Sequence, residues 1–223
     1  MKMIYQEKWK STACEVLNFL DEDELTEAKT LLDSVEMNSS EVITTNKLKK
    51  ANPFNKDFDA FCLKIEKKYE PFMKNVLKEL APHKVNIPSK LNCSLSILPP
   101  NSKYEIHEDK LEKVLSGVIY LSKKKNIGTL LHNSKSDSKP YEINYEENKN
   151  FIFSRKHNSS WHSYKSNENK RYTMIINLMT DQKLNHLISE IGYFSGSYYF
   201  LKDYLFKRLR KIIGTFKDLF KIF

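Results

Sequence analysis

The six residues Tyr104-Glu105-Ile106-His107-Glu108-Asp109 carry the densest chemistry in this 223-residue chain, and Ser160-Trp161-His162 and then Arg171 answer them some fifty residues on. Two imidazoles and one carboxylate suit a divalent iron, because they hold one face of the ion and leave the other open to an organic acid and dioxygen. That arrangement suggests an oxygenase. His107 and Asp109 stand at i and i+2, so an extended segment aims both to one side. The surrounding sequence can supply such segments. Leu91, Cys93, Leu95 and Ile97 alternate with Asn92, Ser94 and Ser96 until Pro99-Pro100-Asn101-Ser102 stops the run. Asn150-Phe151-Ile152-Phe153 leads in to the second histidine, and Tyr172 to Leu178 leads out from Arg171, both in strand-forming residues. The candidate ligands therefore fall at strand ends or in tight connections, where a sheet fixes short side chains.

The order His-X-Asp, a second histidine about fifty residues later and an arginine nine residues after it resembles the iron(II) and 2-oxoglutarate-dependent oxygenases, nearest the prolyl-hydroxylase-like branch, over about Leu91 to Met179. Lys113-X-X-Ser116-X-X-X-Tyr120-Leu121-Ser122 resembles the strand after the first ligands, and Gly128-Thr129-Leu130 the turn into the next. The resemblance implies a double-stranded β-helix (jelly-roll or cupin-like) core, mainly β, with N-terminal helices packed on one sheet. It implies iron(II) held by His107, Asp109 and His162, and 2-oxoglutarate anchored through its far carboxylate on Arg171, with Tyr120 and Thr129 as further contacts. The implied reaction hydroxylates an organic substrate with dioxygen while 2-oxoglutarate is decarboxylated to succinate, with ascorbate as an optional reductant. Where many relatives place glycines before the first ligand, this chain has Asn101-Ser102-Lys103; with 5 glycines in all, it must turn on Asn, Ser and Pro.

Each residue also has a plainer reading. Arg171 can pair with a nearby acid such as Glu168, although a guanidinium fork fits a planar carboxylate and stays charged when enclosed. Trp161 suits packing against the site wall. His157, five residues before His162, competes as a ligand but lies in a turn-like Lys156-His157-Asn158-Ser159, while His83, His132 and His186 suggest no role. A zinc-dependent hydrolase, an epimerase-like enzyme on a related barrel, or a non-catalytic binding protein are the alternatives. No His-Glu-X-X-His occurs, and Cys14, Cys62 and Cys93 are too scattered for a zinc cluster or a disulfide framework.

Composition suits one enzyme domain, with 13 Phe and 12 Tyr for its core. Met1-Lys2-Met3-Ile4-Tyr5 lacks an apolar signal region and no apolar run is long enough to span a bilayer, so the expected place is the cytoplasm, with peripheral residence at the inner membrane face as an option. Residues 1–190 form the expected domain, with helical support over 1–82 and the β-helix core over about 88–180. Asp21 with Glu24 marks a helix start, and Leu25, Ala28, Leu31 and Leu32 give it an apolar stripe to about Ser34. Asn38 to Lys56 reads as a loop or an edge strand near Val42-Ile43. A second stripe, Phe58, Phe61, Ile65, Tyr69, Phe72, Val76 and Leu80, predicts a helix interrupted at Pro71. The polar run Asn133 to Lys139 reads as a solvated hairpin or a border of the substrate opening, and Lys123-Lys124-Lys125 as a turn.

Residues 191–223 differ in kind, with seven Lys or Arg against two Asp. Leu201, Leu205, Leu209, Ile212, Phe216, Leu219 and Phe223 recur at three and four, which predicts a basic amphipathic helix or a pair broken near Gly214. Its partner, expected through residues 198–223, is an anionic membrane surface, a second copy or the domain itself. Nucleic acid is not expected, because the excess charge is confined to this tail and no base-stacking motif accompanies it.

Overall fold

The computed structural model describes residues 2–4, 9–35, 43–44 and 55–220. Strands β1 (Lys2–Ile4) and β2 (Ala13–Val16) precede helix α1 (Glu22–Asp33). A two-residue strand β3 (Ile43–Thr44) and helix α2 (Asn55–Leu80) follow. After a single 3-10 turn come β4 (Lys90–Leu98), β5 (Lys103–His107), β6 (Lys113–Tyr120), β7 (Thr129–Leu131), β8 (Tyr141–Glu142), β9 (Asn150–Ser154), β10 (His162–Lys165) and β11 (Arg171–Met179). Helices α3 (Lys183–Ile191) and α4 (Tyr193–Phe220) close the chain. The strands make two antiparallel sheets, β1-β2-β9-β6-β11-β4-β3 and β5-β10-β7-β8. The class is mixed α/β rather than mainly β, since helices of 26 and 28 residues precede and follow the main run of strands.

The first helix begins where expected. Asp21 Oδ1 accepts from the Glu24 amide at 2.9 Å and Glu24 Oε2 accepts from the Asp21 amide at 3.3 Å, a reciprocal cap that satisfies two otherwise orphaned donors. Glu24 then turns inward to accept from the Tyr69 hydroxyl at 2.6 Å, tying α1 to α2. The expected break at Pro71 does not occur, and α2 runs through it. Pro71 sits on the exposed side, where water can satisfy the carbonyl that its missing N–H would have bonded. Met73, fully buried, takes the place in the apolar stripe assigned to Phe72, which is only partly covered. The edge strand expected near Val42-Ile43 survives as β3, paired with β4 at Ile43↔Ile97; the rest of that predicted loop lies largely outside the described residues.

The two faces of β4 have opposite uses. Leu91, Cys93, Leu95 and Ile97 join the helices in the main core, whereas Ser96 on the polar face is also buried, lining a cavity between the sheets. A second cluster, Trp9, Ala13, Tyr120, Leu131, Ile143, Phe151 and Phe153, joins residues of both sheets and holds them together. The scarcity of glycine is met by asparagine: Asn18, Asn101, Asn148 and Asn158 all adopt positive φ, and Asn101 does so in the turn where a glycine was missing. Gly128 is required for another reason, since a Cβ there would lie 1.6 Å from the Ile143 carbonyl oxygen.

Candidate metal centre

Register brings the ligand candidates together. On adjacent antiparallel strands β5 and β10, His107 and His162 are direct partners, their ring centroids 4.3 Å apart. Asp109 lies just past the end of β5 rather than within a strand, and its buried carboxylate reaches the same point. Ligand atoms of His107, Asp109 and His162 all lie within 4.8 Å of one another, the one such group of His, Cys, Asp or Glu among the described residues.

The histidines are prepared alike. His107 Nδ1 lies 2.9 Å from the Glu105 carbonyl and His162 Nδ1 lies 2.9 Å from the Ser160 carbonyl, each two residues back in its own chain. A carbonyl only accepts, so each Nδ1 carries the proton and donates, leaving a lone pair on Nε2 for a metal. Burial lowers the pKa of both rings, that of His162 to about 4, so both are neutral near pH 7. Burial would raise the pKa of Asp109. The charge of Lys113, that of His162 once it is protonated in acid, and hydrogen bonds from Lys113 (2.6 Å) and Ser116 (2.6 Å) outweigh it and hold the carboxyl at about 2. Two neutral imidazoles beside one carboxylate are the donor set a hard-to-borderline divalent metal takes up.

A cavity of about 70 Å³ opens from these ligands between the sheets, and Arg171 lines its wall with Thr129, Tyr164, Thr173, Ile175 and Asn177. Arg171 starts β11 as expected and is 3% exposed. It makes no ion pair with Glu168; Nε donates to the Ile127 carbonyl at 3.2 Å, and the guanidinium lies 5.3 Å from the ring centres of both Tyr120 and Tyr164. One guanidinium nitrogen, Nη2, is buried with no hydrogen-bond partner. A buried charged donor left unpaired costs about 1–3 kcal/mol or more, a cost that an acceptor bound beside Arg171 would relieve. A carboxylate fits that need, and the residues present therefore fit both iron and a dicarboxylic acid.

Thr129 lines the cavity, while Tyr120 stands behind it: its hydroxyl donates to Thr129 Oγ1 at 3.0 Å and accepts from the Thr129 amide at 2.9 Å. Trp161, just before β10, does not line the cavity; Phe153 packs edge-on against His162 instead, at 4.8 Å. His157 lies in a turn with its ring against Tyr199 of α4, outside the cavity, and residues 133–139 contribute nothing to the lining. Tyr164 and Asn177 escaped the sequence reading, although a step of two from His162 and three steps of two from Arg171 would have found them. Arg155 and Glu190 carried no local signal. Arg155 Nε donates to the backbone carbonyl of Asp109 at 2.9 Å, and its guanidinium pairs with Glu190 of α3.

No family model matches the sequence, and no curated protein matches it. Solved structures do. A prolyl hydroxylase from Trichoplax adhaerens, in complex with a hypoxia inducible factor peptide fragment, shares 14% identity at a TM-score of 0.50, covering 77% of this chain and 84% of that one. A viral collagen prolyl hydroxylase from Paramecium Bursaria Chlorella virus-1 gives 13% identity and 0.49 over 76% and 96%, and a prolyl-4-hydroxylase from Pseudomonas putida gives 11% and 0.47 over 75% and 92%. At such identities the likeness speaks for the fold alone. The chain has a fold like that of the Trichoplax adhaerens prolyl hydroxylase and carries a two-histidine, one-carboxylate triad.

Proposed function

We propose that this protein is an iron(II)- and 2-oxoglutarate-dependent dioxygenase that hydroxylates an organic substrate, and that its two sheets are the halves of a double-stranded β-helix. The observation that carries the reading is the coincidence, in one cavity, of the triad and a buried arginine with an unsatisfied N–H. His107, Asp109 and His162 would hold iron(II), and Arg171 would bind the far carboxylate of 2-oxoglutarate. The metal supplies one-electron and dioxygen chemistry when bound. The chain's part is orientation: the two carbonyls fix the imidazoles, Ser116 fixes one carboxylate oxygen, and Tyr120 and Tyr164 hold Arg171 in a dry slot. No acid–base pair is needed for attack on a C–H bond.

Lys113 favours a second reading. Its ammonium sits 2.6 Å from Asp109 Oδ1, balancing the charge that a metal would balance, as suits a metal-free binding protein of the same fold. Anaerobically purified protein supplied with iron(II), 2-oxoglutarate and oxygen decides between them. Succinate formed only with all three, and lost in Asp109→Ala, supports the dioxygenase; 2-oxoglutarate left intact favours the binding protein. Activity supported by zinc and indifferent to Arg171→Gln would instead indicate a hydrolase.

A further inference from the structure

Helix α3 ends at Gly192, whose φ of +82° turns the chain into α4. The first turns of α4 lean on the body, with Tyr199 against His157 at 5.1 Å. Phe194, Tyr198, Leu201 and Leu205 stand at i, i+4, i+7 and i+11, which is one face of a helix. That face is bare: the four are 87%, 61%, 56% and 49% exposed. The sequence continues the spacing at Leu209, Ile212, Phe216 and Leu219. A contiguous apolar stripe of this kind marks a binding surface.

Charge selects the occupant. Residues 191–223 carry seven Lys or Arg, two Asp and no Glu, a net of +5. A second copy docking on the same stripe would set this charge against its equal, whereas an anionic surface turns it into attraction. Tyrosine and phenylalanine beside lysine and arginine suit the boundary between headgroups and acyl chains. Among the described residues no helix is long and apolar enough to cross a membrane, so the fitting geometry is lying on the surface.

We infer that α4 docks the protein on the anionic phospholipid surface of a membrane, its Phe194-Tyr198-Leu201-Leu205 stripe among the acyl chains and its basic residues at the headgroups. The test is co-sedimentation of the full chain at low salt with vesicles of phosphatidylcholine, alone or mixed equally with phosphatidylglycerol. The intact protein partitions at least about tenfold more strongly to the mixed vesicles, and added salt weakens the binding. Phe194→Ser/Tyr198→Ser/Leu201→Ser/Leu205→Ser loses the binding, and Lys202→Glu/Arg208→Glu weakens it, while both keep the circular dichroism and cobalt(II) titration of the parent. Absence of binding by the intact protein, equal binding to uncharged vesicles, or unchanged binding by both variants overturns the inference. So does a reversible dimer in sedimentation velocity that the quadruple variant abolishes, which would assign the stripe to a second copy.

Discussion

Replacing Glu190 with Gln tests how α3 supports the candidate metal centre. The Glu190 carboxylate is fully enclosed, pairing with Lys84 Nζ at 2.8 Å, with the Arg155 guanidinium and with His186 Nε2 at 3.2 Å, and it accepts from the His157 amide at 3.0 Å. Burial alone would raise its pKa; the hydrogen bond from His186 and the charges of Lys84 and Arg155 overcome this and hold it at about 2, below the ordinary 4.5. At 1.36 kcal/mol per pH unit that difference is worth about 3 kcal/mol. The sign follows from proton uptake: the unfolded chain binds the proton first as pH falls, so the contribution is complete above pH 4.5 and disappears between 4.5 and 2. Lys84 works against it. Burial lowers its pKa to about 8, so its ammonium is a cost to the fold below that pH. Glu190→Gln leaves two buried cations without their counter-charge, and breaking such a pair costs about 3–5 kcal/mol. Urea unfolding at pH 7 should show that loss, and a series from pH 6 to 2.5 should show the parent losing stability below 4.5 with a slope the variant lacks. Lys84→Met added to Glu190→Gln should recover part of the loss. Because Arg155 also holds the Asp109 carbonyl, cobalt(II) affinity in the folded variant should fall about tenfold. A loss under about 1 kcal/mol with parallel pH profiles would show that the cluster carries no such burden.

Arg171→Gln should raise the Kd for 2-oxoglutarate by about ten- to a hundredfold, the worth of a charge-assisted hydrogen bond, with Arg171→Lys in between; isothermal titration with 2-oxoglutarate and metal checks it. Asp109→Ala should abolish tight metal binding and leave the Lys113 ammonium without its partner, read as loss of the cobalt(II) absorption bands. Gly128→Ala should cost about 1–3 kcal/mol by forcing the β7–β8 hairpin open against the Ile143 carbonyl, measured by thermal unfolding. Thr129→Val should weaken 2-oxoglutarate binding less than Arg171→Gln does, since it removes the hydroxyl that accepts from Tyr120 and leaves the guanidinium in place.

Local pattern was enough for features whose cause is local. The alternation in β4 and β11, the cap at Asp21 and the stripe of α2 all follow from preferences that a backbone imposes on its own neighbours, whereas Asp109 reaches the site from just beyond the strand that carries His107. The same rules failed at Pro71, where an exposed carbonyl cost less than expected, and at Phe72, where the packing of α2 on the sheet chose Met73 instead. Alternation also separated the two faces of β4 without saying which one mattered: Ser96 is buried because a second sheet lies over it, a fact about β5 and β10 rather than β4. The sequence by itself determined the donor types, their order and the strand ends that hold them. The tertiary structure alone decided that His107 and His162 are cross-strand partners, that Arg171 lines their cavity and keeps one buried N–H unsatisfied, and that Glu190 reaches Lys84 across 106 residues. Those contacts depend on sheet register and on the docking of α3, and no spacing along one segment encodes the distance between two.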